Sequence, residues 1–182
     1  GGQGIGKAIS LRLAEEGCNV AIFDLKPETA EETAEQARAS GVKAKVYGVD
    51  VADKAAVDKA VAEAEADLGA PWLLVNNAGW DKPAPFLATD KELWDRIIAI
   101  NLNGPLNMHK AVCQGMVERG GGRVVNIASD AARVGTSTEA VYSACKGGMI
   151  AFTKSLAREL ARSNVLLNTV CPGPTNTPMM QS

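Results

Sequence analysis

Apolar positions recur with helical spacing in some stretches of the chain and in short unbroken apolar runs in others, and the two patterns alternate with no linker, repeat or low-complexity tract between them. The first helical pattern covers residues 5–16 and ends at Gly17, whose tolerance of positive φ suits a helix end. An apolar strand, NVAIFD, follows over 19–24. Pro27 then stands at the favoured first-turn position of a helix that Gly41 closes. A strand over 43–48, an alanine-rich helix over 53–68 and a strand over 72–75 come next. A helical pattern spans 90–119, with a break or kink expected near Gly104 and Pro105. The remaining elements are a strand over 123–128, a long helix over 140–162 and a strand over 165–170.

Strands that alternate with helices and are filled by β-branched and aliphatic residues predict a parallel sheet covered on both faces. The expected fold is α/β, a doubly wound, Rossmann-like three-layer arrangement forming a single domain over 1–182. Such sheets bind ligands at the carboxyl ends of their strands, which selects Asp24, Asp50, Asn76, Asn77, Ala78, Gly79, Ser129, Pro172 and Gly173. The chain opens directly on GGQGIG, a glycine-rich loop that needs a strand before it, and closes on PGPTNTPMMQS, a loop pattern with no element after it. The expectation is a chain truncated at both ends, poorly soluble or partly folded when expressed alone.

A formal charge of −2 with scattered Lys and Arg leaves no electrostatic footprint for nucleic acid or a membrane surface. The apolar runs fall far short of the roughly 20 residues that span a bilayer, and no signal segment opens the chain. A cytoplasmic protein acting on small molecules is expected. Cys18, Cys113, Cys145 and Cys171 are widely spaced, with no C-x-x-C pair and one histidine, His109, so neither a metal site nor a disulfide framework is expected. The cysteines read as small buried hydrophobes, and His109 as structural or at a subunit contact.

Glycines at 1, 2, 4 and 6 allow a tight backbone turn and close approach to a pyrophosphate, while the helix beginning there offers free N–H groups and its positive dipole end. Asp24 closes the next strand, near the offset at which an acid receives the adenosine ribose hydroxyls of NAD and repels the extra phosphate of NADP. Gln3, not a basic residue, stands in the loop, although Lys26 lies two residues past Asp24. NAD is the expected cofactor, NADP the less expected one.

Ser129, Tyr142 and Lys146 form the candidate chemistry. A hydride leaves an alcohol carbon only as the hydroxyl proton is removed, and a free tyrosine, with a pKa near ~10, is a poor base at neutral pH. Lys146 lies four residues beyond Tyr142, on the same helical face, where its charge favours the tyrosinate. Ser129, at a strand end, can donate to the substrate oxygen. Cys145 has no base to pair with and is assigned no nucleophilic role.

NNAG at 76–79, Asn101 within a helix, Ser129 thirteen residues before Tyr142, Tyr-x-x-x-Lys ending at Lys146, and Pro172-Gly173 together resemble the short-chain dehydrogenases/reductases over nearly the whole chain. The family's loop, T-G-x-x-x-G-x-G, implies that a Thr, a Gly and a first strand would precede Gly1. The resemblance implies a metal-free, NAD(P)-dependent alcohol dehydrogenase or ketoreductase. It further implies that Lys146 holds the nicotinamide ribose and that Asn101 orders a water leading protons out. Gly2, Gln3, Gly4, Ile5 and Gly6 would cradle the pyrophosphate, with Asp24 and Leu25 at the adenosine ribose and Asp50 and Val51 at the adenine. Asn77, Ala78 and Gly79 would line the adenosine and ribose path, and Pro172, Gly173, Thr175 and Thr177 would meet the carboxamide. Within the family, Gly79-Trp80-Asp81 and residues 126–148 look similar to 2-hydroxycyclohexanecarbonyl-CoA dehydrogenases, which implies a hydroxyacyl-CoA substrate, with Trp80 and residues 131–139 bordering its ring. A 3-oxoacyl thioester reductase shares every motif and stays open, as does an NAD-sensing protein without chemistry. A homo-oligomer, dimer or tetramer, is expected of the full-length protein.

Overall fold

The structure, a computed structural model, describes residues 1–178. They divide into two compact units, Gly1–Ala70 with the segment from Thr175 onward, and Pro71–Pro174.

In the first unit the order is α1 (Gly4–Glu15), β1 (Val20–Asp24), α2 (Pro27–Arg38), β2 (Ala44–Gly48) and α3 (Lys54–Leu68), with β1 and β2 paired in parallel from Val20↔Ala44 to Asp24↔Gly48. Gly17 ends α1 at φ 84°, and the bonds Cys18 N–H to the Leu13 carbonyl (3.0 Å) and Gly17 N–H to the Ala14 carbonyl (2.9 Å) complete a Schellman turn. Helix α2 presents Ala30, Ala34 and Ala37, all fully buried, to Val20 and Ile22 of β1. With only methyl groups on that face, the helix approaches the strand closely. Asp53 caps α3, its Oδ1 accepting from the Ala55 and Ala56 N–H groups at 2.9 and 3.0 Å.

The second unit contains β3 (Leu73–Asn76), α4 (Lys91–Ile98), α5 (Gly104–Glu118), β4 (Gly122–Ile127), α6 (Ala131–Val134), α7 (Ala140–Leu160) and β5 (Val165–Val170). Its sheet is parallel in the order β3-β4-β5. Val124 and Val165 are fully buried, as are Met116 of α5 and Met149 of α7.

Most sequence-derived elements stand within a residue or two of their expected ends, and two regions differ. The pattern over 90–119 is two α-helices joined by a π-helical turn, Ala99–Asn103. Pro105, in the first turn of α5, has no N–H to offer the carbonyl of Asn101 four residues back, so an α-helical ladder cannot run through this point. The segment after β4, to which the sequence pattern assigned no element, contains the short helix α6. Cys113 and Cys145 are buried as expected, but Cys18 is exposed, because it directly follows the surface turn that closes α1, and Cys171 is only partly buried.

Candidate active site

In the first unit the glycine loop meets the end of β1. Asp24 Oδ2 accepts from the Gly2 N–H at 2.9 Å and Oδ1 from the Lys26 N–H at 3.0 Å, so the carboxylate ties the loop to the strand end. A Cβ on Gly2 would lie 2.7 Å from Ala30 Cα, a clash with backbone that glycine alone avoids. The N–H groups at the start of α1 can therefore face a phosphate, and these residues fit the adenosine half of a dinucleotide. Leu25, next to Asp24, is 67% exposed. Asp50 Oδ1 accepts from the Ala52 N–H at 2.9 Å, fixing the turn through Val51 after β2. Thr177 lies beside Gly4.

In the second unit, α7 brings Tyr142 and Lys146 to the carboxyl end of β4. Both are buried. Lys146 Nζ donates to the Ile127 carbonyl at 3.0 Å and stands 5.5 Å from the centroid of the Tyr142 ring. Burial pushes the Lys146 ammonium down to about 8. Burial also raises Tyr142, which Glu139 and Asp81 reinforce by their charge, while the Ser129 hydroxyl acts in the opposite direction. Ser129 Oγ accepts from the Ala131 N–H at 3.2 Å, so the start of α6 orients the hydroxyl. Asp130 N–H bonds to the Pro172 carbonyl at 2.9 Å, which puts the Pro172-Gly173 loop beside Ser129.

Asn101, fully buried in the π turn, donates from Nδ2 to the carbonyls of Trp80 (2.6 Å) and Ile97 (2.9 Å), and its Oδ1 accepts from the Trp80 N–H at 3.3 Å. Its side-chain amide thus holds the loop after β3. A Cβ on Gly79 would lie 3.1 Å from Asn101 Oδ1 and 3.4 Å from Lys146 Nζ, so this glycine lets the NNAG loop, the π turn and the lysine close on one another. Trp80 does not present an open ring: the Arg96 guanidinium lies 3.9 Å from its centroid.

The sequence motifs left out two features. Beneath the strand ends, neutral His109 donates from Nδ1 to the Pro105 carbonyl (2.6 Å) and accepts at Nε2 from Asn126 Nδ2 (3.2 Å), while Asn76 Nδ2 donates to Asn126 Oδ1 at 2.8 Å. Burial pulls the His109 pKa down, consistent with the neutral ring. Beside Tyr142, Asp81 and Glu139 line a common cleft. Glu139 was legible only as an acid three residues before Tyr142, and it stands at the N-cap of α7. Asp81 had no such signal. No group of three or more His, Cys, Asp or Glu among the described residues could hold a metal ion, and none of the described helices is long and apolar enough to cross a membrane.

The family model described as short chain dehydrogenase matches residues 1–182. The chain is 36% identical over 180 residues to the 2,3-dihydro-2,3-dihydroxybenzoate dehydrogenase of Bacillus subtilis, covering 99% of this chain and 69% of that protein. It is 40% identical over 182 residues to 2-(S)-hydroxypropyl-CoM dehydrogenase 3 of Xanthobacter autotrophicus, covering 100% of this chain and 71% of that one. A crystal structure of an NAD+-bound xylitol dehydrogenase superposes with a TM-score of 0.91 at 37% identity, over 95% of this chain and 66% of that chain. Fold and relatives together define a nicotinamide-dependent oxidoreductase of alcohols or ketones. The chain belongs to the short chain dehydrogenase family.

Proposed function

We propose that the protein moves a hydride between NAD and a secondary alcohol or ketone, with Tyr142 as the proton-transfer group and a hydroxyacyl thioester such as 2-hydroxycyclohexanecarbonyl-CoA as substrate. The observation that carries this reading is the buried Lys146 ammonium 5.5 Å from the centroid of the Tyr142 ring. The lysine charge lowers the cost of the tyrosinate in a buried site, and Ser129 offers its hydroxyl to the substrate oxygen as charge changes there. NAD, when bound, supplies the acceptor or donor of the hydride.

Lys146 and Tyr142 would hold the nicotinamide ribose, and Pro172, Gly173, Thr175 and Thr177 would meet the carboxamide. Gly2, Gln3, Gly4, Ile5 and Gly6 would hold the pyrophosphate, Asp24 and Leu25 the adenosine ribose, Asp50 and Val51 the adenine, and Asn77, Ala78 and Gly79 would line the adenosine and ribose path. Asp24 favours NAD because its carboxylate repels a 2′-phosphate. With its side chain committed to Trp80 and Ile97, Asn101 would hold a water through its backbone carbonyl or its remaining acceptor capacity. The whole of 1–182 is taken as one cofactor-binding domain of a cytoplasmic protein. An open groove on α5 and α7, lined by Leu106, Val117, Phe152, Leu156 and Leu160, supports self-association as a dimer or tetramer.

The test is nicotinamide absorbance during turnover of a panel of hydroxyacyl thioesters, 3-oxoacyl thioesters and simple secondary alcohols. Turnover of hydroxyacyl-CoA is expected. Faster reduction of 3-oxoacyl thioesters would move the substrate assignment to reductases of that class, and no turnover of any of them would overturn the reading.

A further inference from the structure

Tyr142 forms one wall of a cleft whose other walls include Asp81, Thr138, Glu139, Leu93 and Trp94. Asp81 and Glu139 are brought there by two separate chain segments. The Ala84 N–H bonds to the Thr138 carbonyl at 2.9 Å, joining the loop after β3 to the entry of α7. Thr138 is held at φ 71°, a left-handed conformation that a β-branched residue adopts only under tertiary constraint, and it sets the direction in which Glu139 leaves the loop. Asp81 Oδ2 is shut off from solvent and has no hydrogen-bond partner among the described residues.

No cation is within ion-pair distance of either carboxyl group among the described residues. Lys82 lines the same cleft but its side chain is exposed, and it reaches Asp81 through its backbone N–H. The Lys146 ammonium is bonded to Ile127. Burial raises both acids, and Asp81 raises Glu139 further. Two neighbouring carboxyl groups with no paired cation concentrate negative charge on this side of the cleft.

We propose that Asp81 and Glu139 are specificity-determining residues that admit alcohols and ketones whose neighbouring acyl group is uncharged, an ester or thioester, and turn away the corresponding free carboxylates. The inference rests on Tyr142 being the group that meets the reacting oxygen, since that fixes where the substrate's neighbouring carbons lie. An ester or thioester brings no charge of its own against these carboxyl groups. A carboxylate in the same place would meet partly buried charge of its own sign, while the cations nearby are the exposed Lys82 side chain and the Lys146 ammonium bonded to Ile127.

Ethyl 3-hydroxybutyrate and 3-hydroxybutyrate present the same carbinol with and without the charge. In the purified protein with NAD, kcat/KM for the ester is expected to exceed that for the acid by about 100-fold, and Asp81→Asn with Glu139→Gln should narrow the ratio about 10-fold or more through a gain on the acid. An unchanged or wider ratio overturns the proposal. Should the double variant fold poorly, Glu139→Gln alone is expected to narrow the ratio, and no narrowing counts against it equally. Calorimetric binding of the two compounds to the wild-type protein with NAD reads selectivity without turnover: ester-over-acid preference supports the proposal and equal binding overturns it. A wild-type protein that binds the ester preferentially but oxidises neither compound would overturn the proposed reaction and leave the selectivity standing.

Discussion

Lys146 Nζ donates to the carbonyl of Ile127, 19 positions earlier in the chain, at 3.0 Å, and this bond anchors the second turn of α7 to the last residue of β4. It holds the ammonium in a pocket where the side chain is 3% exposed. Burying the ammonium there carries a stability cost.

That cost has a sign. An amine whose pKa falls to about 8 in the folded protein, against about 10.5 unfolded, binds fewer protons folded than unfolded between those values. Stability should rise as pH increases from about 8 to 10.5, with the full penalty present below about 8. The shift corresponds to on the order of 3 kcal/mol. Lys146→Met is expected to raise the melting temperature at pH 7 while removing turnover; a lower melting temperature would mean that the Ile127 bond outweighs the desolvation.

Tyr142→Phe should reduce turnover by roughly 10³-fold or more while NAD affinity, read by calorimetry, stays near wild type. An active Phe variant would remove the tyrosine from the reaction.

In the proposed reaction alcohol oxidation draws on the tyrosinate, and Tyr142 is raised above its ordinary value by burial and by its acidic neighbours. The oxidation rate should therefore climb with pH on the alkaline side of neutral. Glu139→Gln removes one raising charge and should move the midpoint of that climb to lower pH, read from a kcat/KM profile.

Gly79→Ala places a Cβ 3.1 Å from Asn101 Oδ1 and 3.4 Å from Lys146 Nζ. The neighbours must yield by tenths of an ångström, a small packing cost but a displacement of the lysine. A drop in kcat of about 10²-fold with a modest loss in melting temperature is expected. Equal losses in a far-surface glycine variant would show a general folding effect instead.

His109 is held neutral in the fold, its pKa below the ordinary value because of burial. Below pH ~6.5 the unfolded chain takes up a proton that the folded chain refuses, so stability should fall as pH drops through that range. His109→Gln should flatten this slope in denaturant titrations at pH 5 and 7. An unchanged slope would assign the acid sensitivity to other groups.

Asp24→Ala should narrow any preference for NAD over NADP and loosen the glycine loop, because the carboxylate accepts from Gly2 and Lys26. Kd values for the two cofactors check this directly. A wild-type preference for NADP would contradict the assignment of Asp24.

What the sequence determined by itself was everything encoded within a turn or two of chain. Gly17, Pro27 and Asp53 mark helix ends through φ, a missing N–H and a capping oxygen, and each acts locally. The spacing of Tyr142 and Lys146 likewise fixed a shared face of α7. Tertiary structure alone decided where those groups arrive and what surrounds them. The π turn that directs Asn101 to Trp80, the Asn76–Asn126 bond across 50 positions and the meeting of Asp81 with Glu139 all depend on strand register and on loops packing against one another. The reason is physical: periodicity and caps specify conformation residue by residue, whereas the burial and partners that shift Lys146, Tyr142 and His109 come from residues distant in the chain, which no local pattern records.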